Sequence, residues 1–128
     1  MKAPQWLDDT VRSFGRQLKL EQLSLGESGA AGVAFADGAE LKLEYVRERL
    51  AVMVTRPVVK TAEAAAATLA AAHPAARRAF TVRSGFFPGS DKAFFVTRLR
   101  EREVTADLLA KAFQELWIVS AEAVRRAA

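Results

Sequence analysis

At 128 residues the chain has the length of one ordinary domain, so one compact unit spanning 1–128, or copies of it, is expected to carry the function. Its 51% hydrophobic and 27% charged content supports a real core, and the absence of cysteine excludes disulfide frameworks, thiolate zinc sites and cysteine nucleophiles together. The formal charge of +4 arises wholly in residues 65–128, because residues 1–64 carry nine basic and nine acidic side chains; an excess this small fits an acidic protein or a nucleic acid and diagnoses neither.

No apolar run approaches the roughly 18 residues that cross a bilayer, and Met1–Leu7 lacks the long apolar stretch of a signal peptide, so a cytoplasmic location without membrane contact is expected. The first element is an amphipathic helix over Pro4–Leu20. Leu7, Val11, Phe14 and Leu18 recur at helical spacing, while Asp8, Asp9, Arg12 and Arg16 are expected to point away. Pro4 suits a first helical turn, and Gly15 is the weak spot of the pattern.

Gly26-Glu27-Ser28-Gly29 reads as a turn, and Ala31–Ala36 and Ala39–Val46 flank Asp37-Gly38, a short hairpin signal whose two central residues should tolerate positive φ. In the second arm Leu41, Leu43 and Tyr45 alternate with Glu40, Lys42 and Glu44, which separates a buried face from a wet one. Leu50–Thr55, apolar at nearly every position, predicts an interior strand that Pro57 ends. Alanine-rich Lys60–Ala72 predicts a helix by propensity, closed at His73-Pro74.

Phe80–Ser84 and Ala93–Leu99 predict two further strands around a loop at Gly85–Asp91. Pairing Arg83 with Phe94 would place Phe80, Val82, Phe95 and Leu99 on one face, and Arg77, Arg83, Phe94, Val96, Arg98 and Arg100 on the other. Thr105 is the expected N-cap of a long last helix through Leu108, Leu109, Ala112, Phe113, Leu116, Trp117 and Val124. The predicted fold class is α+β, in the order α-β-β-β-α-β-β-α, with helices packed on an antiparallel twisted sheet.

Catalytic constellations are not evident. His73 is the sole histidine and reads as a helix-terminal residue, and Asp8-Asp9 and Glu101…Glu103 are carboxylate pairs on expected surfaces. The glycines at 26, 29 and 32 lack the lysine of a phosphate loop. Phe86 and Phe87 pack within the chain or meet a partner. The arginine-bearing face is a solvated surface, a protein contact or a nucleic-acid contact, the last because phenylalanines and arginines interleave there.

The element order and the text Trp6-Leu7…Phe14-Gly15-Arg16-Gln17-Leu18-Lys19-Leu20…Leu23-Ser24-Leu25…Gly29…Val33-Ala34-Phe35-Ala36-Asp37-Gly38, with the closing Leu108…Phe113…Leu116-Trp117 helix, resemble class I type III secretion chaperones. The resemblance implies a bacterial protein with no cofactor, metal or catalytic residue. It would bind the N-terminal segment of a secreted effector in extended form and pair as a homodimer, or as a heterodimer with a second chaperone.

By the same resemblance the effector-accepting face comprises Phe14, Leu18, Leu23, Leu25, Val33 and Phe35, and Ala65, Leu69, Ala72, Phe80 and Val82 form the dimer interface. Arg83, Arg98 and Arg100 are expected to border the effector path or meet an acidic partner. The chain departs from the usual acidic balance of that family. A small basic nucleic-acid-binding module is the alternative reading, though nucleic acid is not the expected partner.

Overall fold

The computed structural model describes residues 1–58, 62–71 and 80–127. Expectations that rest on Ala72, His73, Arg77 or the side chain of Leu69 lie outside the described residues. The elements follow the predicted order: α1 (Gln5–Gln17), β1 (Ala30–Ala34), β2 (Glu40–Val46), β3 (Arg49–Pro57), α2 (Ala62–Ala71), β4 (Arg83–Phe86), β5 (Lys92–Arg100) and α3 (Ala106–Ala127), with a single 3₁₀ turn at Glu101–Glu103. The strands make one antiparallel sheet in the spatial order β1-β2-β3-β5-β4, so β1 and β4 are its edges.

Alternation builds the two faces of this sheet. Leu41, Leu43 and Tyr45 of β2, Leu50, Val52 and Val54 of β3, and Phe95 and Leu99 of β5 all turn inward and are buried. The helices cover that face with Leu7, Val11 and Phe14 from α1 and Leu109, Ala112 and Leu116 from α3, each fully buried. Thr105 caps α3 as expected, its hydroxyl accepting the Leu108 N–H at 3.1 Å.

Several local expectations are corrected. Arg83 pairs with Val96 rather than Phe94, a slip of two residues that keeps the same faces, and β4 starts at Arg83, which makes Phe86 a strand residue packed on the core. Phe87 folds back over the outer face, 5.2 Å from the Phe94 ring and beneath the Lys42 ammonium at 5.7 Å, so both phenylalanines pack within the chain. At Asp37-Gly38 only Gly38 has positive φ (88°), and Ala36–Gly38 form a three-residue hairpin loop closed by Phe35 N–H to Ala39 O at 2.8 Å.

A further correction concerns Asp8. Far from facing solvent, its carboxylate is buried and accepts hydrogen bonds from the Leu25 N–H (2.8 Å), the Ser24 hydroxyl (3.0 Å) and Arg12 Nε (3.2 Å). It therefore ties the connection after α1 back onto the helix. The signal for this was its place next to Leu7 and one turn before Val11, on the border of the buried stripe.

Gly15 is a requirement rather than a weakness. The helix ends in a Schellman turn, with Leu20 N–H donating to Gly15 O at 2.7 Å, Lys19 N–H to Arg16 O at 3.1 Å, and Lys19 at φ 60°. A Cβ on Gly15 would stand 2.7 Å from Leu20 O and 2.9 Å from Leu23 Cβ. Gly15→Ala is expected to destabilise the chain by about 1–3 kcal/mol, since forced overpacking outweighs alanine's helix advantage of roughly 1 kcal/mol. Denaturant unfolding reads the sign: a stabilised variant would refute the close packing.

Candidate functional site

The edge strand β1 offers an unguarded row of backbone groups. Tyr45 N–H donates to Gly29 O at 2.8 Å, and Phe35 N–H donates to Ala39 O at 2.8 Å, so the backbone groups of residues 29, 31, 33 and 35 face β2. Those of Gly32 and Ala34 point away from the sheet. At Ala30 the Ser28 hydroxyl serves both the N–H and the C=O, at 3.3 and 3.4 Å. The exposed outer positions of β1 are Ala30, Gly32 and Ala34, so neither proline nor lysine fences this edge.

Beside the edge lies a groove of about 540 Å³, between the connection Lys19–Ser24 and Ala31–Val33 of β1. Asp8 and the Schellman turn hold that connection in place from below. Burial opposes ionisation of Asp8, but the hydrogen bonds from Leu25 and Ser24 and the adjacent Arg12 outweigh it and hold the carboxyl below its ordinary range. An apolar strip continues from the groove through half-buried Leu18, Leu20, Val33 and Phe35. Phe35 stacks on Phe113 at 6.2 Å and meets Trp117 edge-on at 5.1 Å, and Phe113 in turn abuts Phe14 at 6.2 Å.

Trp117 is also covered by Arg56, which the sequence reading did not single out. Arg56 follows Leu50, Val52 and Val54 on the inward face of β3, so the period-two signal was present. Its guanidinium lies 4.1 Å from the Trp117 ring centroid, donates to Ser120 Oγ (2.7 Å) and Trp117 O (3.2 Å), and reaches Asp37 at 3.4 Å. Thus one side chain joins the β1–β2 loop to α3 and sets the far end of the aromatic strip.

Among the residues expected to accept an effector, Leu18, Val33 and Phe35 are half-buried along the strip, and Leu23 forms part of the groove wall. Phe14 and Leu25 are fully buried, so they support this surface from beneath rather than line it. Arg83, Arg98 and Arg100 are exposed on the outer face, where Arg98 borders a trough floored by Ala51, Met53, Phe94 and Val96. Of the expected dimer set, Val82 is buried in the chain's own core, and Phe80 and Ala65 are half-buried. Among the described residues there is no group of three or more His, Cys, Asp or Glu that could hold a metal ion, and no helix long and apolar enough to cross a membrane.

A five-stranded antiparallel sheet with helices on one face, and a groove of mixed polar and apolar lining beside its open β1 edge, define a class of small α+β proteins. The family model described as Type III secretory system chaperone SycN matches residues 6–124, and the chain belongs to that family. No sequence among the curated proteins matches it.

Solved structures share the fold. The ExsC–ExsE complex contains a chain similar at TM-score 0.71 and 17% identity, covering 99% of this chain and 97% of that one. The HopA1–SchA chaperone–effector complex is similar at 0.70 and 15%, covering 97% and 99%. The Yersinia pestis type III secretion chaperone SycH, solved with a fragment of YscM2, is similar at 0.66 and 14%, covering 94% and 98%.

Proposed function

We propose that this type III secretion chaperone holds the N-terminal segment of a secreted effector in extended form, using the β1 edge and the groove beside it. The observation that carries this reading is the coincidence of free backbone groups at Gly32 and Ala34 with the apolar strip Leu18–Leu20–Val33–Phe35. Backbone pairing asks for little sequence identity, and alternate side chains of the guest reach the groove. Its apolar side chains would otherwise aggregate. The similar structures support the reading because two of them are a chaperone–effector complex and a secretion chaperone with a bound fragment.

Ordering such a segment costs roughly 2–5 kcal/mol of the gross interaction, so the contact must spread over a large surface. The outer trough beside Arg98, with Arg83 nearby on β4, would extend it. Two copies meeting along α2 and the β4 edge, near Ala65 and Phe80, would double it. The reading needs no catalytic step.

The test is co-purification of the tagged chain from its source cells, followed by limited proteolysis and light scattering. A secreted protein protected only in its N-terminal segment, on two copies of the chain, is expected. Gly32→Pro removes one edge donor that the sheet does not use, so it should leave folding nearly intact and weaken retention by about tenfold, near 1.4 kcal/mol. Equal retention by the folded variant would remove the β1 edge from the mechanism.

A further inference from the structure

Two local costs converge on the end of the sheet where β2 turns into β3. Arg47 and Glu48 form a two-residue turn with φ of 50° and 63°, a left-handed conformation that asparagine and glycine accept far more readily. Next to it, Arg49 of β3 stands directly opposite Arg100 of β5 on the outer face, and like charges facing each other across a ladder destabilise it.

Arg47, Arg49, Arg100 and Arg102 line one depression of about 640 Å³ together with Glu48 and Glu101. Neighbouring carboxylates do little to neutralise them. Glu101 accepts the Tyr45 hydroxyl, and the nearest ion pair, Arg100 with Glu103, is loose at 4.0 Å with both side chains well exposed. Among the described residues Arg47, Arg49 and Arg102 have no carboxylate partner.

We propose that this end of the sheet is a docking site for a carboxylate-rich segment of a partner protein, whose Asp or Glu side chains engage Arg47, Arg49, Arg100 and Arg102. A carboxylate between Arg49 and Arg100 converts their repulsion into a shared bridge, and guanidinium forks suit it because they bind carboxylates in pairs of parallel hydrogen bonds. Glu44, Glu48 and Glu103 lie among these arginines. They would repel a continuous phosphate backbone, whereas separate carboxylates on a peptide can pass between them. The depression shares no residue with the groove beside β1 and meets the outer trough only at Arg49, so this site goes beyond the β1 contact and its test can fail without that contact failing.

Fluorescence anisotropy of a labelled peptide of alternating glutamate and glycine against the full chain tests the proposal, with a labelled single-stranded oligonucleotide as the second probe. The peptide is expected to bind, to weaken as salt rises, and to lose about tenfold in affinity with Arg49→Ser/Arg100→Ser. That variant should melt at the same or a higher temperature, because it removes the facing charges. A charge-matched variant on the helices, Arg16→Ser/Lys111→Ser, should bind like the wild type. Equal loss in both variants would mean diffuse attraction only, and tighter binding of the oligonucleotide would mean a nucleic-acid site. Either result, or no peptide binding at all, overturns the proposal.

Discussion

Replacing Arg56 with alanine should lower the unfolding free energy by about 2–4 kcal/mol, the size expected when charge-assisted hydrogen bonds and a desolvated cation–π contact are lost together. The guanidinium is nearly enclosed, with side-chain exposure of 10%, and it bonds Ser120 Oγ and Trp117 O while lying over the Trp117 ring. Burial lowers its pKa, and Asp37 opposes that, yet an arginine stays charged. Most of the effect comes from α3, because Asp37 is 54% exposed and its ion pair is screened.

Asp37→Ala should accordingly cost little beyond its bond to the Ala39 N–H, about 1 kcal/mol. Arg56→Lys should not restore the loss, since an ammonium cannot serve Ser120, Trp117 O and the ring face at once. Urea unfolding of the three variants decides the matter. If Asp37→Ala proved as damaging as Arg56→Ala, the ion pair rather than the contact with α3 would be the source of stability.

Asp8→Ala should cost about 2–3 kcal/mol, because it leaves the buried Leu25 N–H without an acceptor and frees the connection that walls the groove. Asp8→Asn keeps the shape and one acceptor oxygen but loses the charge that favours Arg12, so a smaller loss is expected. The folded pKa of Asp8 is lowered relative to an unfolded value of about 3.9, so its contribution is complete above that pH. As pH falls through the folded value, the group takes up a proton and the contribution disappears.

The wild type should therefore lose more stability between neutral and strongly acidic pH than Asp8→Asn does. Parallel stability curves for the two proteins would show that Asp8 is not the linked group. Glu40, also lowered through its hydrogen bond from Lys92 at 2.6 Å, titrates in the same direction in both proteins and cancels in the comparison.

These two side chains share a consequence for binding. Asp8 holds the near wall of the groove through Ser24 and Leu25, and Arg56 holds the far end of the aromatic strip through Trp117. The surface proposed to receive the effector thus lies between two polar anchors that are themselves buried, which keeps it preorganised and spares part of the ordering cost of binding.

Short-range rules made most of the fold legible. The stripe Leu7, Val11, Phe14 and Leu18 marked α1, alternation through Leu41, Leu43 and Tyr45 marked β2, Pro57 ended β3, and Thr105 opened α3. Each such signal compares residues within a few positions of one another, where 3.6-residue and two-residue periods are set by backbone geometry alone. Phe35 and Val33 could be assigned to an apolar face on the same ground.

Contacts between distant segments were decided only in three dimensions. Arg56 could be seen to point inward, but not to meet Ser120; Asp8 lay on the rim of a stripe, but nothing nearby showed that Leu25 would return to it. The Arg47-Glu48 turn carries no glycine or asparagine and so gave no turn signal, and Arg49 faces Arg100 only because β5 inserts between β3 and β4. Strand order and register between non-neighbouring segments follow from how whole faces bury against the helices, a global balance that local periodicity does not encode.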